Sequence, residues 1–205
     1  MKGRATMATT TDRLPVVTPA DWVPGPKQGH WTYNDYAALP DDGHHYEIVN
    51  GVLYMAPSPN RWHQEAAFEI ASYLRTHVTL ARLGRVYIAP FDVELAPDDI
   101  VQPDVIVMLN AHRDRITDSH IIGAPDLVVE VASPSTAGFD RREKQDSYAC
   151  AGVPEFWVVN AEARTVEVLV LENGIYHSLG VFRGRAILPS RVVPGLAVRV
   201  EQFFL

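Results

Sequence analysis

The sequence predicts an α/β (α+β) fold in which a mixed central β-sheet is flanked by two main helices. Two stretches are predicted as helices from apolar spacing and from capping residues, and two Asn-Gly pairs each separate apolar-rich strand patterns. A near-continuous apolar run at 126–132 is typical of a strand that is buried on both faces. With 205 residues, of which 47% are hydrophobic and 21% charged, the chain suits one domain with a tail.

The first segment of the chain differs in composition from the rest. Residues 1–30 are rich in Thr and Pro and show no periodicity, which predicts a flexible N-terminal lead-in. Residues 31–205 form the predicted domain. It begins with a short helix that Thr32 caps and Pro40 ends.

The next elements follow from local signals. Asn50-Gly51 predicts a hairpin turn between two strands. The longest helix is expected from residue 60 to about residue 83, because small and apolar residues recur there at helical spacing and Gly84 follows. Strands are then predicted at 85–90, 91–97, 101–109 and 126–132, with a polar connection at 110–125 that could contain a short helix.

The C-terminal part is predicted to hold a second helix and further strands. Asp140 and Glu143 fit a capping box, and Gly152 fits the position that follows a helix. Strand patterns follow at 155–160, 165–173 and 174–182, and a short segment at 196–204 closes the domain.

Charge and hydropathy exclude some classes of protein. The formal net charge of −7 argues against a broad, sequence-independent grip on nucleic acid, although a bound divalent cation can reverse the local field. The sequence has no apolar run of the roughly 18 residues that a membrane span needs. The first residues also lack the apolar middle of a secretion signal, so a cytoplasmic protein without a membrane partner is expected.

Two carboxylates occupy apolar strand patterns. Asp104 and Glu130 are each flanked by β-branched residues, where an unpaired charge is costly. A shared Mg²⁺ or Mn²⁺ would offset both charges, because hard cations prefer carboxylate oxygens. Each acid alone is better explained by a solvent-facing strand end or by a pair with an arginine. The two together favour a metal site.

Three motifs at 102–108, 126–136 and 140–160, and a fourth at 46–70, resemble the Uma-two family of the PD-(D/E)XK nuclease superfamily, a family named for restriction endonucleases. The resemblance covers roughly residues 30 to 200. It implies a restriction-endonuclease-like domain, a DNA substrate, a divalent metal and, as in many nucleases, a homodimer.

The resemblance assigns roles to individual residues. Pro103-Asp104 matches the PD motif and Glu130 matches its acidic partner. The superfamily lysine is expected two residues after that acid, where this chain has Ala132, and Lys144 on the second helix fits the missing role. Lys144 is equally compatible with an ordinary lysine whose stem packs on the protein and whose amine stays in water.

Two further residues complete the candidate catalytic set. Glu47 matches an early glutamate of the family that is expected in the metal or water network, and a solvent-facing strand position explains it as well. His63, in the first turn of the long helix, could contact phosphate or orient a carboxylate, or it could be a surface histidine near a cap.

The sequence therefore predicts metal-dependent phosphodiester hydrolysis, with Asp104 and Glu130 as metal ligands and Lys144, Glu47 and His63 as further catalytic residues. Two alternatives remain. One is a catalytically inactive nuclease-fold module for binding or assembly, favoured by the acidic surface and by Ala132. The other is a metal-assisted hydrolase of a different phosphate ester, since fold does not fix substrate.

Overall fold

Local capping and packing determine where the helices of the computed structural model begin and end. The structure describes residues 18–204 except residues 57 and 133–139, and the side chains of residues 140 and 141 are also not described. The short helix α1 (Tyr33–Ala37) begins at Thr32, whose backbone N–H donates to the carboxylate of Asp35 at 3.0 Å. The helix α3 spans Asp140–Ala151, so the predicted capping role of the Asp140 side chain lies outside the described residues.

The long helix is built as the sequence predicts, with one difference near its end. The helix α2 (Arg61–Leu74) begins at Asn60, whose side chain accepts a hydrogen bond from the backbone N–H of His63 at 3.0 Å. It continues as a wider π-helical segment, Arg75–Leu80, before the chain turns into the next strand. No helix of the described residues is long and apolar enough to cross a membrane.

The described residues contain eleven strands: β1 (His45–Val49), β2 (Val52–Ala56), β3 (Gly84–Ile88), β4 (Asp92–Ala96), β5 (Asp99–Val101), β6 (Val105–Leu109), β7 (His120–Ile122), β8 (Leu127–Ala132), β9 (Glu155–Asn160), β10 (Thr165–Glu172) and β11 (Ile175–Arg183). They form two mixed sheets. One has the order β2-β1-β5-β4-β7, and the other has the order β11-β10-β9-β8-β6-β3. The α+β fold class is confirmed, but the single predicted sheet is two sheets.

The division between the sheets arises within one predicted strand. The pattern at 101–109 is interrupted at Gln102, Pro103 and Asp104, so that β5 pairs in the five-stranded sheet and β6 in the six-stranded sheet. Proline has no N–H for a ladder hydrogen bond, which explains a break at this point. The polar connection holds a short 3₁₀ helix, Asn110–Arg115, which the sequence analysis allowed for. The second difference is the short strand β7, which was not predicted there.

The N-terminal segment packs on the domain from residue 18 onward. Pro19 bridges Tyr54, and the N–H of Ala20 donates to the carbonyl of Leu53 at 2.8 Å. Ala20 and Trp31 are buried with residues of β1, β2 and β5 in a small apolar cluster. Residues 1–17 of the predicted lead-in lie outside the described residues.

Two larger apolar cores lie on opposite faces of the six-stranded sheet. One face packs against α2 and the C-terminal 3₁₀ helix Val200–Phe203. On the other face, Tyr148 of α3 packs with Ile106, Phe156 and residues of the five-stranded sheet such as Val93. The helix α3 thus lies between the two sheets, and polar residues of the sheets meet at its first turns.

Candidate active site

The chain break before β6 places Asp104 beside Glu130. β6 and β8 are antiparallel with Val105 opposite Val129, and continuing that register sets Asp104 opposite Glu130. The carboxylate of Asp104 accepts a hydrogen bond from the backbone N–H of Val131 at 2.7 Å. Because residues directly opposite each other share a face, the register itself brings the two acids together.

A lysine from α3 connects the two sheets. The Nζ atom of Lys144 lies 2.7 Å from Oε2 of Glu47 and 3.4 Å from Oε1 of Glu130. The side chains of Lys144 and Glu47 are only 10% and 9% exposed. Glu47 belongs to β1 and Glu130 to β8, so one ammonium group lies between the acids of both sheets.

His63 reaches the same cluster from the start of α2. Its Nε2 atom lies 3.2 Å from Oδ2 of Asp104, and both side chains are largely buried. Its Nδ1 atom is buried without a hydrogen-bond partner among the described residues. The structure thus brings together all five residues that the sequence predicts for the site.

The ionisation of Glu130 is strongly perturbed. Burial is the largest cause that raises the pKa of Glu130 to about 8. The ammonium of Lys144 lowers that pKa, whereas the neighbouring carboxylates Asp104 and Glu47 raise it. Glu130 is therefore an acid whose protonation changes near neutral pH.

The cluster also contains a residue that the sequence analysis assigned no role. The hydroxyl of Tyr148 donates to Oε1 of Glu130 at 2.5 Å, and burial raises the pKa of Tyr148 well above its usual value. Tyr148 follows Lys144 by four residues, so the two side chains share one helix face. This spacing was the signal that could have identified Tyr148.

A second missed contribution comes from the backbone at the strand break. The N–H of Gln102 donates to Oε1 of Glu47 at 2.7 Å. The Gln102 side chain donates instead to Oδ1 of Asp92 at 2.7 Å and to the hydroxyl of Tyr36 at 3.1 Å. Gln102 thereby fixes the carboxylate of Glu47 through its main chain, which a side-chain pattern cannot reveal.

The donor set fits a hard divalent cation in chemistry and in charge. Three carboxylates, those of Glu47, Asp104 and Glu130, surround a single ammonium group, which leaves an excess of negative charge. Among the described residues, no three His, Cys, Asp or Glu side chains form a ready-made metal site. Mg²⁺ commonly takes one or two carboxylates and completes its shell with water and substrate phosphate, so Asp104 and Glu130 suffice as protein ligands.

Comparison with known proteins places this cluster in a family. The family model described as "Uma2: Putative restriction endonuclease" matches residues 33–201, which include all five candidate residues. The chain belongs to the Uma2 family. No protein among the curated ones matches the chain.

A solved structure supports the fold of this Uma2 chain. A crystal structure titled as a putative nuclease belonging to DUF820, from Anabaena variabilis, superposes with a TM-score of 0.71 at 21% sequence identity. The match covers 84% of this chain and 97% of that one. At this identity the similarity establishes a shared fold, and the chemistry of the Uma2 site rests on its own residues.

Proposed function

We propose that the chain is a metal-dependent phosphodiester hydrolase that cleaves DNA. The observation that carries the proposal is the position of Lys144. Its ammonium group forms salt bridges with both Glu47 and Glu130, beside Asp104. Two adjacent carboxylates with a nearby lysine supply the charges that phosphoryl transfer to water requires. Membership of a family described as restriction endonucleases supports DNA as the substrate.

Each side chain has a definite task in this proposal. Asp104 and Glu130 would hold Mg²⁺ or Mn²⁺, which supplies Lewis-acid polarisation of a phosphoryl oxygen and acidifies water. Lys144 stabilises the negative charge that develops on the phosphoryl group.

Two residues position this machinery. Glu47 holds the ammonium of Lys144 and can accept a proton from the attacking water. His63 orients Asp104 through its Nε2 atom.

Cleavage of supercoiled plasmid tests the proposal. We expect nicking or linearisation with Mg²⁺ or Mn²⁺ and none with EDTA. Lys144→Ala should lower the cleavage rate by roughly a hundredfold or more, the effect of removing one group that stabilises charge in the transition state. The control Lys27→Ala makes the same charge change at an exposed site and should cleave as the wild type does.

One observation favours an inactive binding module as the second candidate. Lys144 already neutralises part of the acidic cluster, and the described residues hold no ready-made metal site. A folded wild type that leaves plasmid intact with either metal would support this candidate. Cleavage of bis(p-nitrophenyl) phosphate but not of DNA would instead indicate a hydrolase of another phosphate ester.

A further inference from the structure

Three arginines line a surface pocket at the end of β6 that lies away from the acidic cluster. The pocket has a volume of about 470 Å³ and is lined by Arg82, Arg85 and Arg113 together with Thr79, Gly84 and Asn110. All three arginines are exposed. None of their guanidinium groups forms an ion pair with any residue in the described part of the chain. A chain with a net charge of −7 thus concentrates three unpaired positive charges at one place.

The pocket has a firm backbone frame. The Asn110 side chain donates to the carbonyl of Arg82 at 2.7 Å, and the Asn110 N–H donates to the carbonyl of Leu83 at 2.9 Å. At Gly84 a Cβ atom would lie 2.1 Å from the carbonyl oxygen of Met108, so β3 approaches β6 closely here. The arginine stems therefore project from a fixed base, which reduces the entropy lost when they bind an anion.

The strand register relates Arg85 of the pocket to Glu130 of the acidic cluster. Arg85 pairs with Met108, and Met108 belongs to the core on the α3 face. Glu130 is two residues from Val128, which belongs to the same core, so the side chains of Arg85 and Glu130 leave the sheet on one face. The two features occupy opposite ends of β6.

The two features are separated by the length of a few base pairs of DNA. Leu109, which pairs with Gly84 at the end of β6, comes five residues after Asp104, which corresponds to roughly 17 Å at the usual rise of a strand. Since B-DNA rises about 3.4 Å per base pair, this length corresponds to about five base pairs. A duplex longer than this can contact both the acidic cluster and the arginines.

We propose that Arg82, Arg85 and Arg113 form a phosphate-binding pocket that holds the DNA backbone at a distance from the bond that is cleaved. Arginine suits this task because its planar guanidinium binds phosphate oxygens in a bidentate manner. The pocket supplies local positive charge in a protein whose net charge is −7. This inference rests on the proposed function, because the pocket is proposed to bind the same DNA that the acidic cluster would cleave.

DNA binding without cleavage tests this inference. A fluorescein-labelled 20-base-pair duplex is titrated with protein in EDTA, and anisotropy gives the dissociation constant at several salt concentrations. The triple variant Arg82→Gln, Arg85→Gln, Arg113→Gln should weaken binding roughly tenfold or more. It should also lower the slope of log K against log salt by about 1 for each phosphate that an arginine no longer neutralises.

The matched control is the triple variant Arg164→Gln, Arg183→Gln, Arg185→Gln. These three exposed arginines lie toward the opposite edge of the six-stranded sheet, and the charge change is identical. The control should retain wild-type affinity within about twofold and the wild-type salt slope, because these arginines lie outside the pocket and neutralise no phosphate. Circular dichroism melting of both variants verifies that the fold is intact.

The outcomes separate this inference from the proposed function. Loss of binding in the pocket variant with normal binding in the control supports the pocket, whether or not the wild type cleaves DNA. Equal weakening in the two triple variants, or no duplex binding by the wild type, would overturn it. Plasmid cleavage by the wild type combined with full binding by the pocket variant would leave the nuclease standing and reject the pocket.

Discussion

At the scale of single residues, Glu130 links the stability of the protein to pH. Its pKa is raised from 4.5 to about 8, mainly by burial. Between these two pH values, the unfolded chain releases a proton that the folded chain retains. The contribution of Glu130 to folding stability is therefore fully present below about pH 4.5 and is lost as the pH rises to about 8.

This linkage predicts the behaviour of Glu130→Gln without metal. Between pH 5 and 8 the wild type should lose stability because of Glu130, and the variant should not show this loss. The free energy of unfolding of the variant, compared with that of the wild type, should therefore increase with pH over that range. The exposed Glu162→Gln serves as a control and should follow the wild-type curve. Urea unfolding at several pH values measures the difference. Parallel curves for the wild type and Glu130→Gln would show that Glu130 ionises normally.

Tyr148 offers a second residue-scale prediction, because its hydroxyl donates to Glu130 and so lowers the pKa of that acid. Tyr148→Phe should raise the pKa of Glu130 and move the pH dependence of cleavage toward higher pH. Tyr176→Phe is the matched control, since Tyr176 also packs on Phe156 and donates instead to the carbonyl of Val153 at 2.8 Å. Each variant should lose about 1 kcal/mol of folding stability, because each loses one buried hydrogen bond. Only Tyr148→Phe should shift the pH dependence of the cleavage rate. If the cleavage rates of both variants depended on pH in the same way, a role for the Tyr148 hydroxyl would be contradicted.

At the scale of elements, the local signals in the sequence were sufficient for most of the fold. Asn50-Gly51 and Asn173-Gly174 form turns with positive φ, as an Asn-Gly pair between apolar runs predicts. The split of the pattern at 101–109 between two sheets was not predictable, because it depends on which distant strands pair with β5 and β6. The strand β7 was missed for the same reason, since its pairing with β4 is parallel and distant in sequence.

The site shows the same division between local and long-range information. The motif resemblance identified the five side chains that the structure brings together. The hydrogen bond from the Gln102 backbone depends on the pairing of β1 with β5, and the bond from the Tyr148 hydroxyl depends on the packing of α3 against the six-stranded sheet. No local pattern encodes either contact.

The close pairing of β3 with β6 gives a prediction at this scale. In Gly84→Ala the new Cβ atom would meet the Met108 carbonyl oxygen at 2.1 Å, and a backbone atom in a strand cannot move aside easily. We expect a loss of about 3 kcal/mol or more, the upper range for overpacking. Gly174→Ala lies in open space and should lose less, since only its positive φ of 77° opposes the substitution. Thermal melting ranks the two variants, and an equal or smaller loss for Gly84→Ala would show that the strands can separate at low cost.

At the scale of the whole molecule, the three carboxylates join two sheets and a helix, so a bound cation should stabilise the entire domain. A ligand that binds only the folded state contributes about 2.7 kcal/mol at a hundredfold excess over its dissociation constant. Millimolar Mn²⁺ should therefore raise the melting temperature of the wild type. Asp104→Asn removes one charge from the cluster, so without metal it should be no less stable than the wild type.

The Mn²⁺ response of Asp104→Asn should be absent. A variant such as Asp114→Asn, at an exposed acid outside the cluster, should respond as the wild type does. Equal responses in the wild type and Asp104→Asn would mean that the cation binds elsewhere and that the acids of the cluster are purely structural.

The central claim is that Asp104 and Glu130 hold one catalytic cation beside Lys144, and a crystal structure grown with Mn²⁺ tests it most directly. Anomalous scattering locates Mn²⁺ independently of the refined protein. We predict an anomalous peak between the carboxylates of Asp104 and Glu130, with Lys144 still in contact with Glu47. The contradicting result would be a crystal grown at saturating Mn²⁺ that shows no anomalous peak at these carboxylates, with Lys144 still in contact with both Glu47 and Glu130.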